Sequence, residues 1–160
     1  MRIALSADHA GVELKDALAA WLGEAGHDLI DLGTHGTASV DYPDYGARLA
    51  GAVGEGKADR GIAVCGSGIG IAIAANRNPA CRCAQVDEPV SAALARSHND
   101  ANAIALGARL IGIEMAKACI EAFLATPFLG ANDPTSRHCG RVEKLGHPPL
   151  APAKPAGVPA

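Results

Sequence analysis

The run Cys65-Gly66-Ser67-Gly68-Ile69-Gly70 carries the clearest chemical potential in this sequence. Its glycines follow an apolar stretch, Gly61 to Cys65, and lead into another, Ile71 to Asn76. In a strand-to-helix turn of this kind, backbone N–H groups and the positive end of the helix dipole can approach an anion closely. The run departs from the dinucleotide fingerprint because Ile71 stands where the third glycine would be, and no Gly-Lys-Ser/Thr follows to make a P-loop. The plainer alternative is a tight strand-to-helix turn that holds nothing. Cys65 sits at the strand's end, where the helix N-terminus favours the thiolate, the form of cysteine that acts as a base. The plainer alternative is a small core residue, and Cys81, Cys83 and Cys119 are read that way.

Other groups gather around similar boundaries. Asp8-His9 follows the apolar run Ile3 to Ala7, and His98-Asn99-Asp100 lies between a helical segment and the next short strand. Ligands of open parallel sheets bind beyond the carboxyl ends of the strands. The loops at Asp8-His9, Cys65 to Gly70, Val86-Asp87 and His98 to Asn102 are therefore expected along one edge. Arg137 and Arg141 are four residues apart, on one face of a helix. Paired guanidiniums can grip a phosphate through bidentate hydrogen bonds, with Arg109 a third candidate. A solvated helix start would produce the same spacing. His27, His35 and His147 have no comparable placement.

The elements that must position these groups alternate regularly. Strands are predicted over Ile3–Ala7, His27–Leu32, Gly61–Cys65, Cys81–Val86 and Ala103–Leu106. Helical spacing follows each: Leu14, Ala17, Leu18, Trp21 and Leu22 first, then a helix to about Glu55, Ile71–Asn76, Glu88–Ser97 and Gly112–Ala125. This order predicts an α/β fold, a Rossmann-like three-layer sandwich with a five-stranded parallel sheet. Aromatics make up only 3% of the chain against 49% hydrophobic residues, so its layers must pack through small aliphatic side chains. Residues 146–160, with five prolines and one charge, are read as a tail outside a domain of residues 1–145.

A net charge of -3 gives no broad footprint for nucleic acid or an anionic membrane, so any anion site must be local. The cysteines are odd in number and lack CxxC spacing, which points to free thiols in a reducing compartment rather than zinc. No signal peptide or spanning segment is evident, and the cytoplasm is expected.

Several of these pieces, taken in order, resemble the type B ribose-5-phosphate isomerases, a family that also contains galactose- and allose-6-phosphate isomerases. They are Asp8-His9-Ala10-Gly11, Asp41-Tyr42-Pro43, Cys65 to Gly70 with Ala74-Ala75-Asn76, Ser97 to Asn102, Gly107-Ala108-Arg109, and Arg137-His138 with Arg141. The resemblance implies an aldose-ketose isomerase that uses no metal or nucleotide cofactor. Cys65 would move the proton between C2 and C1, His98 would open the sugar ring, and Ser67 would assist at the sugar oxygens. The N–H groups of Gly66, Ser67, Gly68, Ile69 and Gly70 would stabilise the enediolate. Asp8, His9 and Asn99 would contact the sugar, and Arg109, Arg137 and Arg141 the phosphate. A homodimer with sites at the subunit interface is also implied. The alternatives are an isomerase of four- or six-carbon sugar phosphates, or a non-catalytic flavodoxin-like module holding a phosphate at Gly66 to Gly70.

Overall fold

The computed structural model describes residues 1–146. Five strands, β1 (Arg2–Ala7), β2 (Asp28–Asp31), β3 (Arg60–Cys65), β4 (Cys83–Gln85) and β5 (Ala103–Gly107), form one sheet in the order β2-β1-β3-β5-β4. Every pairing is parallel. The connecting helices are α1 (Val12–Glu24), α2 (Tyr42–Gly54), α3 (Ile69–Ala75), α4 (Pro89–Asn99) and α5 (Ile113–Ala125), with α6 (Arg137–Gly146) closing the described chain. Gly146 thus belongs to α6, and the proline-rich segment beyond it lies outside the described residues.

Two cores follow from the strand alternation. Ile3, Leu5, Ile62, Val64, Ile104 and Leu106 project toward α1, α4 and α5. Ala4, Ala63, Cys65, Ala103 and Ala105 project toward α2 and α3. The small residues on the second face let α2 and α3 lie close. A Cβ on Gly46 of α2 would stand 2.7 Å from the Ile71 carbonyl oxygen and 2.9 Å from the Ala74 Cβ. Because α1 and α3 cover opposite faces while β1 and β3 are neighbours, a crevice opens between the carboxyl ends of those strands.

The expected boundaries shift by two residues or more in four places, each for a local reason. Helix α2 starts at Tyr42, with Pro43 inside its first turn, where a proline lacks only an N–H that would be unpaired anyway. Helix α3 begins at Ile69, because Gly68, at φ 76°, turns the chain directly into it. Strand β4 keeps only Cys83–Gln85, flanked by Asn76, whose side chain donates to the Cys83 carbonyl and accepts from its N–H. Helix α4 runs on through His98 and Asn99 instead of stopping at Ser97.

Beside β2, the side chain of Lys15 is fully buried, and its Nζ lies 2.6 Å from Asp31 Oδ2 and 2.7 Å from Asp16 Oδ1. Burial opposes the ammonium, but the hydrogen bonds to Asp16 and Asp31 outweigh it and hold the group above its ordinary value. Asp31 also accepts from the Gly33 N–H at 2.9 Å, and Gly33 accepts from Ala7, which ties β2 to the end of β1.

Gly46→Ala should destabilise the protein by roughly 1–3 kcal/mol, the usual cost of overpacking a tight contact. The urea midpoint should fall with little change in slope. An unchanged midpoint would mean that the α2–α3 contact relaxes freely.

Candidate active site

The crevice predicted by the strand order is occupied by a cavity of about 560 Å³ lined by Asp8, Tyr42, Cys65 to Ser67, Ile69, Gly70, Ile73, Arg109 and Leu110. The lining comes from strand ends and the turns that follow them, joined by Tyr42 from the first turn of α2 and by Ile69, Gly70 and Ile73 from α3. The N–H of Asp8 donates to the Val64 carbonyl at 3.2 Å, extending the β1–β3 pairing by one residue and setting Asp8 beside Cys65. The buried carboxylate of Asp8 accepts from the N–H groups of Ala10 and Gly11 through Oδ1, at 2.9 and 3.1 Å. That contact fixes the carboxylate and leaves Oδ2 without a partner among the described residues. Gly11 permits the turn, since a Cβ there would meet the Val64 carbonyl oxygen at 2.8 Å.

Cys65 is only 3% exposed, and its Sγ accepts the N–H of Gly68 at 3.1 Å. The left-handed backbone at Gly68 makes this possible, and a Cβ there would press on β5, 3.0 Å from the Leu106 carbonyl carbon. The N–H of Ile69 donates to Ser67 Oγ at 3.3 Å. The glycine turn therefore commits two of its N–H groups internally. Those of Gly66, Ser67 and Gly70 carry no protein partner among the described residues, and they are the donors available to an oxyanion. This narrows the expectation that Gly68 and Ile69 offer theirs.

Burial raises the Cys81 thiol to about 11 and pushes those of Cys83 and Cys119 upward as well. Arg109 lies against the Gly66 backbone, its N–H bonded to the Gly66 carbonyl at 3.1 Å. His9 follows Asp8 with its Nδ1 accepting from the Val40 N–H at 3.2 Å, so the proton of the neutral ring sits on Nε2. His9 itself does not line the cavity.

Sequence reading missed Tyr42 as a lining residue. Its ring covers Gly70, where a Cβ would approach to 2.6 Å, and only the Asp41-Tyr42-Pro43 motif hinted at a role. Among the described residues, no cluster of three or more His, Cys, Asp or Glu side chains could hold a metal ion.

The expectation that His98 and Asn99 share this edge is corrected. Helix α4 leaves the carboxyl end of β4 and returns to the start of β5, so its last turn lies at the opposite, amino edge. There the Asn102 carbonyl accepts from Gly61, at the start of β3. With ~3.3 Å per residue along a strand, the two edges are on the order of 15 Å apart. Arg137 and Arg141 belong to the amino edge too, because α6 packs on α4, with the His98 and His138 rings stacked at 4.7 Å and 11° between planes. Asn99 opens instead onto a second hollow, beside Arg82 and Asn76.

The doubly wound α/β fold thus sets a thiol and a carboxylate side by side over a glycine turn at the carboxyl edge of its sheet. The sequence matches the Ribose/Galactose Isomerase family model over residues 3–145, and the chain belongs to that family. It is 42% identical to Ribose-5-phosphate isomerase B of Escherichia coli (strain K12), covering 90% of this chain and 93% of that one. It is 40% identical to D-erythrulose-4-phosphate isomerase of Pectobacterium atrosepticum, covering 92% and 94%. The structure of Clostridium thermocellum Ribose-5-Phosphate Isomerase B superposes with a TM-score of 0.88 at 44% identity, covering 92% and 96%. Membership of an isomerase family sets aside the non-catalytic phosphate-holding alternative.

The stacked histidines predict a pH effect. Burial, then the charges of His98, Arg137 and Arg141, hold His138 below its ordinary value of 6.5. Protonation therefore disfavours the folded state. Stability is full above about 6.5 and declines as the pH falls through that value and then the lower folded one. Melting temperatures measured between about pH 8 and 5 should show this decline, and His138→Gln should flatten it. An identical slope in the variant would place the effect elsewhere.

Proposed function

We propose that this chain interconverts ribose 5-phosphate and ribulose 5-phosphate through an enediolate, with each active site completed by two copies of the chain. The observation that carries the reading is the division of polar groups between the sheet edges. A thiol, a carboxylate and free N–H donors lie at one edge; a histidine, an amide and two arginines lie at the other. A two-fold pair with these edges facing would build two equivalent sites. Exposed Ile69, Ile73, Tyr42 and Leu110 rim the cavity and supply an apolar seam for such a contact.

In this site the partner's His98 takes the proton from the anomeric hydroxyl and returns it to the ring oxygen, opening the furanose. The Cys65 thiolate then removes the proton from C2 of the open aldose and delivers it to C1. Charge develops on O1, within reach of the N–H groups of Gly66, Ser67 and Gly70, while a proton passes from O2 to O1 with the Ser67 hydroxyl assisting. Asp8 and the partner's Asn99 hold the sugar hydroxyls. Arg109 with the partner's Arg137 and Arg141 holds the phosphate.

The free state of all five cysteines supports a reducing cytosol as the site of action. A four-carbon substrate is the second reading, favoured by the likeness to the erythrulose-phosphate enzyme. Comparing kcat/KM on four-, five- and six-carbon aldose phosphates separates the readings.

Cys65→Ala should lower kcat by on the order of 10²–10⁴, the scale for a positioned general base. His98→Asn should be impaired on ribose 5-phosphate and much less so on a four-carbon aldose phosphate, which cannot close the same ring. Mixing the two variants after co-refolding should restore about a quarter of wild-type activity. Half of the dimers are then mixed, and each has one intact site of two. No recovery on mixing would sink the two-copy site. Arg137→Lys should raise KM for the phosphorylated sugar and leave turnover of the free sugar unchanged, because an ammonium cannot reproduce the bidentate grip. An equal effect on both substrates would make the arginine structural.

A further inference from the structure

Helix α4 ends in an unusual way. Asp100 has φ 45° and ψ 41°, and it is the one residue other than glycine with a left-handed backbone among those described. Glycine adopts this conformation with the least strain and is the common choice after a helix. An aspartate here implies that its carboxylate does something a glycine could not.

The carboxylate bridges two arginines. Its Oδ2 lies 2.7 Å from Arg82 Nη2, and its Oδ1 lies 2.7 Å from Arg96 Nη1. Arg82 also donates through Nε to the Asp100 carbonyl at 2.9 Å, grasping main chain and side chain together. Arg96 is nearly buried and donates from the same Nη1 to the Ala101 carbonyl at 2.7 Å. The Arg82 N–H in turn donates to Asn102 Oδ1 at 2.7 Å. Asp100 and Ala101 close the helix by donating to the carbonyls of Arg96 and Ala95. The last turn of α4 is thus braced to the segment entering β4 on one side and the start of β5 on the other.

We propose that Asp100 is a positioning residue, whose carboxylate, held between Arg82 and Arg96, fixes the last turn of α4 so that His98 and Asn99 meet the substrate in a set orientation. The inference rests on the reading of His98 as the ring-opening group. His98 and Asn99 occupy the two positions immediately before the braced residue. A frayed last turn would swing both, and misplacement of a reacting group by about 1 Å can cost roughly 10²-fold. Asp100 touches no substrate in this scheme and acts only through its neighbours.

The test uses Asp100→Gly, which keeps the left-handed turn and removes the brace, with Arg82→Gln as a second route to the same loss. The readouts are melting temperature, the NMR resonances of the His98 imidazole, and kcat and KM on ribose 5-phosphate. Both variants should remain folded, shift the His98 resonances away from their positions over the His138 ring, and lose on the order of tenfold or more in kcat. Unchanged imidazole resonances, or an activity loss no larger than the unfolded fraction, would overturn the proposal. The resonances are read without turnover. If His98→Asn itself kept wild-type activity, the ring-opening reading would fail. Shifted resonances would then still uphold the brace, and unshifted ones would still overturn it.

Discussion

A crossover helix in a parallel sheet must run antiparallel to the strands it joins, and this constraint decides where the chemistry of the molecule can be. Residues on the turn after a strand fall at the carboxyl edge, as Asp8, Cys65 to Gly70 and Arg109 do. Residues on the last turn of a helix fall at the amino edge, as His98 and Asn99 do. No adjustment of loop conformation brings the two sets together within one chain, because the full length of the strands lies between them. The division is a property of the fold, and an active site using both sets has to draw on more than one copy.

Close packing does the rest of the work at the carboxyl edge. The glycine turn is pressed against β5: a Cβ at Gly68 would crowd Leu106, and one at Gly107 would stand 2.8 Å from the Ser67 carbonyl oxygen. Glycines there let backbone lie on backbone, and that contact aims the Gly68 N–H at Cys65 Sγ. Cys81 and Cys83, buried in the same core layer, have no such donor among the described residues, and burial pushes their thiols up. Placement in the fold, more than the chemistry of cysteine itself, sets Cys65 at the cavity and leaves Cys81 and Cys83 in the core.

Much of this was legible in the sequence because the signals were local. Alternating apolar runs and helical spacing gave the five strands and their helices, and the turn from Cys65 to Gly70 announced itself through its glycines. The placement of His98 was misjudged because its position was read from its neighbours along the chain. The direction of α4 is the relevant fact: any residue between that helix and β5 falls at the amino edge, wherever the helix ends. Tyr42 was missed for a related reason, since its place over Gly70 depends on α2 packing against α3. The commitment of the Gly68 and Ile69 N–H groups could not be foreseen either, because it hangs on one left-handed residue and one serine rotamer.

The separation of the two edges also changes what a substitution means for inheritance. On the two-copy reading, a change at Arg137 or Asn99 leaves the thiol pocket of its own chain intact and damages the pocket of the neighbour. A cell making two versions of the chain would then hold pairs in which each version's defect appears in the other's site. On that reading, the unit that carries a working active site, and on which selection acts, is the pair and not the polypeptide.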